Sequence, residues 1–290
     1  MMFLFKLFAR LPLPVVHALG VVVGWLIYWG PGRHSARMRD NITLSGLCDP
    51  GAQCRRLLRQ NIRETGKGIA ELAVMWLRPY DRVLRLVRGT TGFEHIEAAR
   101  AAGKGIIVMS PHIGCFEIIG QHLALNHPFT VMYRPPRQAV LDDLMKTGRQ
   151  RGHATLVPAD LSGVRALLGA LKRHETIGVL PDQVATRGDG AWAPFFGRPA
   201  YTPTMVASLQ RKTGAVAVFA AAERLSWGRG YHLHVFPLDA PLAEDKAEAA
   251  AQVNAAVEAV VRRFPAQYLW SYNPYKRPAG VPAPGEDGAA

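Results

Sequence analysis

The chain has 290 residues, of which 35 are Lys or Arg and 22 are Asp or Glu, so its formal net charge at pH 7 is +13. That length allows one large α/β domain, or one domain with a small appendage. The odd, sparse set of cysteines argues against a disulfide framework, and Cys48 and Cys54 are not spaced like half of a zinc site, so we expect Cys48, Cys54 and Cys115 to be free thiols. The positive charge indicates an anionic partner (nucleic acid, anionic lipid, a phosphorylated substrate or an acidic protein), unless it only aids solubility.

The first feature along the chain is an apolar run at residues 11–29, which contains no Lys, Arg, Asp or Glu. It approaches the ~20 residues that a helix needs to cross a bilayer, and aromatic residues cluster at its far end. A cleaved signal peptide would need a small-residue cleavage site, which the run lacks, and a buried core helix is the other alternative. We therefore predict a membrane anchor at residues 1–31 that spans the bilayer or lies at its interface. The basic cluster downstream of the run favours a cytoplasmic position for the following domain.

The remainder alternates between helical and strand-like segments. Residues 51–78 have the apolar spacing of an amphipathic helix. Short β-branched runs predict buried strands at 105–110, 130–133, 155–157, 177–180 and 215–220. Helical patterns lie at about 116–125, 138–151, 160–174, 203–213 and 243–264. This alternation predicts an α/β domain over residues 32–278, with a mostly parallel or mixed sheet flanked by helices. We expect an edge strand at 231–236, with His232 and His234 facing solvent, and a disordered tail at 279–290.

His112 and Glu117 are the sharpest candidates for catalysis, within the motif SPHIGCFE. His112 follows a predicted buried strand and Glu117 lies in the first turn of the next helix, and sites in open α/β sheets lie at the carboxyl ends of strands. Five residues apart on one helix they would diverge, so they can meet only if His112 lies in the turn. A carboxylate beside an imidazole makes that imidazole a general base. Cys115 could instead be a nucleophile, but its apolar neighbours predict that it packs inward.

The His112–Glu117 spacing resembles the HxxxxD/E motif of the glycerolipid acyltransferases, and the wider chain resembles the late acyltransferases of lipid A biosynthesis, the lauroyl/myristoyl transferase family. Further segments resemble family blocks in the same order: 37–41, 131–135 (VMYRP), 180–183 (LPDQ), 194–202 (PFFGRPAYT), 265–270 (PAQYLW) and 275–278 (YKRP). The resemblance therefore covers nearly the whole chain. One departure is the Cys-Phe pair before Glu117, where the family commonly has Asn-Trp.

This resemblance implies a glycerol-3-phosphate-acyltransferase-like fold. It also implies transfer of a fatty acyl chain from acyl carrier protein to a hydroxyl of a hydroxyacyl chain on a Kdo-bearing lipid A precursor. In that reaction His112 would remove the hydroxyl proton, and Glu117 would orient His112 and favour its charged form. Residues of the same cleft that would bind substrate are Arg134, Arg149, Asp182 and Gln183. The alternatives are a solvated loop charge for Arg134 and a turn former for Asp182.

The expected partners are acyl carrier protein, the lipid A precursor and lipids of the inner membrane, with the catalytic domain on the cytoplasmic face. We expect no nucleic acid, no metal and no cofactor apart from the acyl donor, because no phosphate-binding loop or HExxH motif occurs. Alternative functions are acylation of a lysophospholipid, an ornithine lipid or a glycolipid. A thioesterase and a non-catalytic basic protein that binds membrane or nucleic acid are further alternatives.

Overall fold

Seven strands form the central sheet of the computed structural model, which describes residues 2–136, 139–186 and 188–285. The strands are β1 (Val87–Thr91), β2 (Ile106–Met109), β3 (Phe129–Tyr133), β4 (Ala154–Pro158), β5 (Thr176–Val179), β8 (Val216–Arg224) and β9 (Tyr231–Pro237). Their order in the sheet is β1-β9-β8-β2-β5-β3-β4, and every neighbouring pair is parallel except β8 and β9. A separate antiparallel hairpin consists of β6 (Gly190–Phe195) and β7 (Arg198–Pro203).

Helices cover both faces of this sheet. They are α1 (Met2–Arg10), α2 (Leu13–Trp29), α3 (His34–Leu44), α4 (Ala52–Leu77), α5 (Tyr80–Leu84), α6 (Glu94–Ala101), α7 (Phe116–Leu123), α8 (Ala139–Arg149), α9 (Leu161–Lys172), α10 (Met205–Thr213) and α11 (Lys246–Arg263). Alternate residues of the central strand β2 pack into different apolar clusters. Ile107 and Met109 belong to one cluster, and Ile106 and Val108 belong to the other. This two-sided burial explains why the strand is a continuous apolar run, and it confirms the predicted α/β class with a mostly parallel sheet.

Two parts of the sheet differ from expectation. The five strands predicted from β-branched runs are present, but β9 is not an edge strand, because β1 pairs outside it. The sequence of β1, VRGTT, has no apolar pattern to indicate a strand. As a result His232 and His234 are half-buried: Thr91 Oγ1 lies 2.7 Å from His232 Nε2, and Glu223 Oε2 lies 2.9 Å from His234 Nε2.

The cysteines also differ from expectation. Cys48, in the loop after α3, and Cys54, in the first turn of α4, form a disulfide with their Cα atoms 5.2 Å apart. The prediction of three free thiols is therefore wrong for these two. The loop folds back on the start of α4 and brings together two residues whose spacing resembles no familiar framework. Cys115 is free and buried.

The N-terminal apolar run forms α2, which packs antiparallel against α4. His17 lies beside Glu71 near one end of this contact, and Gly24 lies against Ile62 further along it. Among the described residues no single helix is long and apolar enough to cross a membrane. By length and composition, only α2 and α3 taken together would be long and apolar enough, and they are bent by 96° relative to each other. The membrane anchor at residues 1–31 stays a prediction.

The predicted C-terminal tail is described only in part, since residues 286–290 lie outside the described residues. Within the described part, Val281 is buried, and Trp192 Nε1 of β6 donates a hydrogen bond to the Pro282 carbonyl at 3.0 Å. The chain after residue 278 therefore returns to the β6–β7 hairpin before the described part ends.

Candidate active site

The turn between β2 and α7 carries His112 and is hydrogen-bonded to three separate parts of the fold. Ser110 N donates to Val179 O of β5 at 2.9 Å, and Cys115 N donates to Ala222 O of β8 at 3.1 Å. On the third side, Leu269 N donates to His112 O at 3.1 Å. Because backbone bonds hold the turn before, at and after His112, its position is fixed independently of its side chain.

Gly114 is required for this turn. Its φ is +59°, in the left-handed region that favours glycine, and a Cβ at this position would lie 1.8 Å from Ala222 O. Gly114 N also donates to Gln267 O at 3.0 Å. His112 lies in the turn before α7, as the sequence predicts, and the close approach to β8 explains why no residue larger than glycine fits at position 114.

Asp182 is the direct partner of the His112 imidazole. Its Oδ1 lies 2.8 Å from His112 Nδ1, and its Oδ2 accepts a hydrogen bond of 2.9 Å from the backbone N–H of His112. The side chains are 9% and 2% exposed, so the contact is shielded from water. This geometry fixes the proton on Nδ1 and leaves Nε2 as an acceptor, to which the amide nitrogen of Gln183 donates at 3.2 Å.

The charge state of His112 follows from these contacts. Burial opposes the charged imidazolium and lowers the pKa of His112, but the negative charge and hydrogen bond of Asp182 outweigh burial. Glu117 adds a smaller favourable effect and Arg149 a smaller opposing one, and the net result is a raised pKa for His112. The site is thus built to accept a proton at His112 Nε2.

Glu117 does not contact His112 directly, so the predicted orienting role belongs to Asp182. Glu117 forms a bidentate ion pair with Arg149, in which Arg149 Nε donates to Oε2 at 2.9 Å and Nη2 donates to Oε1. Trp76 Nε1 also donates to Oε2, at 3.2 Å. Consecutive helical residues point about 100° apart. Phe116 therefore packs edge-on against the His112 ring, with centroids 4.8 Å apart, while Glu117 points towards α4 and α8.

The two predicted arginines have different surroundings. Arg149 is 24% exposed at its side chain; burial lowers its pKa, but the adjacent Glu117 more than compensates and the pKa is raised. Its guanidinium is therefore a fixed charge that already has a partner. Arg134 follows β3, is exposed, and has no ion-pair partner in the part of the chain that the structure describes. It remains available to an anionic ligand.

The strand order explains how distant residues converge. The neighbours β2, β5 and β3 are parallel, so their carboxyl ends lie at one edge of the sheet. His112 follows β2, Asp182 and Gln183 follow β5, and Arg134 follows β3. Sites in open α/β sheets occupy this edge. Among the described residues no group of three His, Cys, Asp or Glu side chains is arranged to hold a metal ion.

An apolar pocket, partly open to solvent, lies beside the turn that carries His112, and its volume is about 660 Å³ with the solvent at its mouth included. Its wall is formed by the sheet and by α7, and polar groups are supplied by Ser110, Glu117, Gln121 and Arg149. The apolar lining comprises Val108, Phe116, Ile119, Gly120, Phe129, Val131, Met132, Ala154, Gly178, Val179 and Leu180. Such a lining suits a hydrocarbon chain whose polar end lies near His112.

Cys115 does not face this cavity. It is 4% exposed, and burial, reinforced by the charge of Glu71, raises its pKa well above the ordinary value for a thiol. A thiol that resists ionisation is a poor nucleophile. The inward packing expected from its apolar neighbours is confirmed, and the nucleophile alternative loses its basis.

Two buried asparagines support the site and were not identified from the sequence. Asn61 of α4 donates to Ala266 O at 2.9 Å and to Tyr268 O at 2.7 Å, and Asn41 of α3 donates to Trp270 O at 2.8 Å. These bonds hold the C-terminal segment that pairs with the turn carrying His112. Their sequence signal was weak, because an asparagine within a helix more often faces solvent.

Comparisons with known proteins show similarity over nearly the whole chain. A family model described as bacterial lipid A biosynthesis acyltransferase matches residues 1–277. A lipid A biosynthesis lauroyltransferase of Escherichia coli (strain K12) is 29% identical over 283 residues, which is 96% of this chain and 90% of that protein. A lipid A biosynthesis palmitoleoyltransferase of the same organism is 27% identical over 276 residues, 94% of this chain and 89% of that protein.

The chain is also similar, over a shorter part of its length, to a protein whose name gives a different lipid. A phosphatidylinositol mannoside acyltransferase of Mycobacterium tuberculosis (strain CDC 1551 / Oshkosh) is 28% identical over 169 residues, which is 55% of this chain and 49% of that protein.

Proposed function

Because the chain belongs to the bacterial lipid A biosynthesis acyltransferase family, we propose that it transfers a fatty acyl chain from acyl carrier protein to a hydroxyl of a hydroxyacyl chain on a Kdo-bearing lipid A precursor. The observation that carries this proposal is the buried His112–Asp182 contact, at 2.8 Å, beside the apolar pocket. A base next to a hydrocarbon site is what acyl transfer to a lipid hydroxyl requires.

In the first chemical step His112 Nε2 removes the proton of the acceptor hydroxyl. The hydroxyl oxygen then attacks the thioester carbonyl carbon, and the resulting imidazolium is stabilised by Asp182. The tetrahedral intermediate collapses, its carbon–sulfur bond breaks, and the departing thiolate takes the proton back from His112. The nucleophile is the substrate's own hydroxyl, because Cys115 is buried with a raised pKa.

Gln183 occupies the position that the acceptor hydroxyl would take. Its amide nitrogen lies 3.2 Å from His112 Nε2, and its residue is exposed at the mouth of the site. We propose that the acceptor displaces this amide, which then turns to bind the substrate. The exchange replaces one hydrogen bond to Nε2 with another, so it has a small energetic cost.

Glu117 and Arg149 act as a preformed ion pair at the cavity wall. The carboxylate contributes to the raised pKa of His112 without touching it, and the guanidinium provides a fixed positive charge near the developing oxyanion. Arg134, exposed and without an acidic partner among the described residues, would bind a phosphate of the donor or acceptor. The excess of 13 positive charges would attract acyl carrier protein, the anionic lipid and the cytoplasmic leaflet of the inner membrane.

The test is acyl transfer by the purified protein, followed by mass spectrometry of the lipid product. Acyl carrier protein loaded with a fatty acid is the donor, and a Kdo-bearing lipid A precursor, a lysophospholipid, an ornithine lipid and a glycolipid are the acceptors. We expect the precursor to gain one acyl mass faster than any other acceptor. Preference for a different lipid would contradict the proposed acceptor, and release of free fatty acid at the same rate without any acceptor would indicate a thioesterase.

The second candidate function is acylation of another membrane lipid. It is favoured by the similarity to a protein named phosphatidylinositol mannoside acyltransferase, which covers 55% of this chain. The same acceptor series distinguishes the two. A non-catalytic basic protein that binds membrane would need neither the buried His112–Asp182 contact nor the adjoining cavity, and it would leave every acceptor unchanged.

A further inference from the structure

One face of α2 exposes a row of five large apolar side chains. Their exposed fractions are 42% for Val15, 39% for Leu19, 56% for Val22, 63% for Leu26 and 72% for Trp29. Successive members of this row are alternately four and three residues apart, so their side chains lie along one side of the helix. Single exposed apolar residues are common on protein surfaces, but a continuous row marks a surface that binds something apolar.

The opposite face of α2 is fixed to α4. A Cβ at Gly66 would lie 2.0 Å from Gly20 O and 2.4 Å from Gly24 N, so the two helices touch at their backbones. Beside this crossing, His17 Nε2 lies 2.6 Å from Glu71 Oε1 in a buried contact. The row of exposed apolar residues lies on the side of α2 that faces away from α4 and can meet a partner.

Glu71 extends this attachment to the central sheet. Arg224 of β8 donates to both of its carboxylate oxygens, at 2.6 and 2.7 Å, and to Glu64 Oε2 at 2.6 Å. Burial works against the carboxylate, but Arg224 and His17 outweigh it and lower the pKa of Glu71 to about 2. The group is charged at any physiological pH, so the buried contact of His17 with Glu71 attaches α2 to a charge network that continues to the sheet.

A stripe of positive charge runs along the neighbouring helix. Exposed side chains of α4 include Arg55, Arg56, Arg59 and Arg63, and none has an acidic partner within the described ranges 2–136, 139–186 and 188–285. Because α2 and α4 are antiparallel and Gly24 meets Ile62, this stripe flanks the half of α2 that ends at Trp29. The surface therefore combines an apolar row with adjacent free cations, which matches the chemistry of an anionic lipid headgroup region.

We propose that α2 lies in the plane of an anionic bilayer surface, with its apolar row in the headgroup–acyl boundary and the α4 arginines on lipid phosphates. A membrane-crossing orientation is disfavoured by the same packing. If α2 crossed the bilayer, its middle would carry the adjoining part of α4, including Arg63 and Lys67, into the hydrocarbon. An in-plane orientation keeps these cations at the headgroups and inserts only the row.

This orientation also relates the membrane to the candidate active site. The C-terminal end of α4 reaches both: Trp76 donates to Glu117, and Arg78, just after α4, donates to the carbonyls of Ala9 in α1 and of Leu11 in the link to α2. Lipid acceptors in the bilayer would thus lie near the site. Binding to vesicles is measured without any acyl donor, so its failure is distinguishable from failure of the proposed acyl transfer.

The first experiment tests the apolar row by co-sedimentation of the full chain with phosphatidylcholine vesicles that contain phosphatidylglycerol. The double variant Val22→Glu/Leu26→Glu should lower the partition coefficient roughly tenfold or more, because two apolar contacts with the membrane are lost. Leu161→Glu is the matched control, since Leu161 on α9 is 74% exposed but lies outside the row, and we expect a change within about twofold. Wild-type binding by the double variant would overturn the proposal.

The second experiment tests the arginine stripe. Arg55→Gln/Arg59→Gln should weaken binding to vesicles with phosphatidylglycerol roughly tenfold or more and leave binding to pure phosphatidylcholine vesicles nearly unchanged. The matched control is Arg165→Gln/Lys172→Gln on α9, which removes the same charge from exposed residues elsewhere. If the stripe variant keeps vesicle binding and instead loses binding to acyl carrier protein, the stripe is a protein-docking surface and its assignment to lipid is wrong.

The third experiment separates an in-plane helix from a crossing one. Arg10→Cys and Arg33→Cys place single reactive thiols at the two ends of α2, while Cys48 and Cys54 are joined and Cys115 is buried. A membrane-impermeant thiol reagent is applied to spheroplasts and to inverted inner-membrane vesicles. We expect both positions to react from the same side of the membrane, and reaction from opposite sides would overturn the in-plane orientation.

Discussion

Asp182→Asn tests the assignment of the orienting carboxylate. The asparagine has nearly the same size, and its amide oxygen can still accept a hydrogen bond from His112 Nδ1, which lies 2.8 Å from Asp182 Oδ1. Its NH2 group then faces the backbone N–H of His112, so the hydrogen bond that Asp182 Oδ2 accepts there is lost. It lacks the negative charge that stabilises the imidazolium. A hydrogen bond to a charged group contributes about 1.5–3 kcal/mol. At about 1.36 kcal/mol per factor of ten, we expect kcat/KM to fall roughly 10- to 150-fold.

The pH profile gives a sign that a purely structural role would not produce. Burial lowers the pKa of His112 and Asp182 raises it above the ordinary value, so removing the charge lets that pKa fall. A general base must be neutral, and activity is therefore lost as the pH falls through the pKa of His112. The acidic limb of the kcat/KM profile should move to lower pH in Asp182→Asn, although the plateau is reduced.

The assay is steady-state acyl transfer across the acidic pH range, with thermal unfolding measured in parallel. Asp245→Asn is the matched control: Asp245 is the N-cap of α11, where its side chain accepts from two backbone N–H groups, and asparagine caps a helix equally well. We expect no change for this control. An unshifted acidic limb in Asp182→Asn, or a plateau within about twofold of wild type, would refute the orienting role.

Three further predictions concern the surrounding structure. Glu117→Gln leaves the half-buried Arg149 guanidinium without its counter-ion and should cost about 1.5–3 kcal/mol of unfolding free energy, measured by denaturant titration. An effect below about 1 kcal/mol would contradict a structural ion pair. Phe129 lines the apolar pocket, so Phe129→Leu enlarges it. We expect wild type to discriminate roughly tenfold or more against an acyl donor that is one methylene too long, and the variant to discriminate less when donors of graded length compete. An unchanged preference would exclude Phe129 from the acyl site. Gly114→Ala should lower the unfolding free energy by about 2 kcal/mol more than Gly214→Ala does, an order of magnitude for backbone strain plus overpacking. Both positions have positive φ, but only at Gly114 would the added Cβ lie 1.8 Å from a carbonyl oxygen. Equal melting temperatures of the two variants would contradict this account of the turn.

The sequence identified the position of the site better than its internal contacts. Buried β-branched runs marked five of the seven sheet strands, so His112 and Asp182 could both be assigned to the carboxyl ends of strands. Their pairing depends on β5 lying next to β2, and sequence order does not give the strand order of a parallel sheet. Spacing instead favoured Glu117, which is only five residues from His112 but points to the other side of α7.

Other missed features share this physical origin. The Cys48–Cys54 disulfide depends on the fold of one loop against α4, and β1 has a polar sequence that becomes a strand only because β9 lies beside it. Asn61 resembles an ordinary polar helix residue until its two carbonyl partners, more than 200 residues away along the chain, are known. Local patterns indicate elements, whereas tertiary contacts decide which side chains meet.

The most direct test of the catalytic account is the mass of the lipid product formed by wild type and by His112→Ala, with the carrier-bound acyl donor and the lipid A precursor. We expect wild type to add one acyl chain to the precursor. His112→Ala should remain folded and bind vesicles like wild type but be slower by roughly 10²-fold or more. Near-normal acylation by the alanine variant would contradict the central claim that the His112 imidazole removes the proton of the attacking hydroxyl.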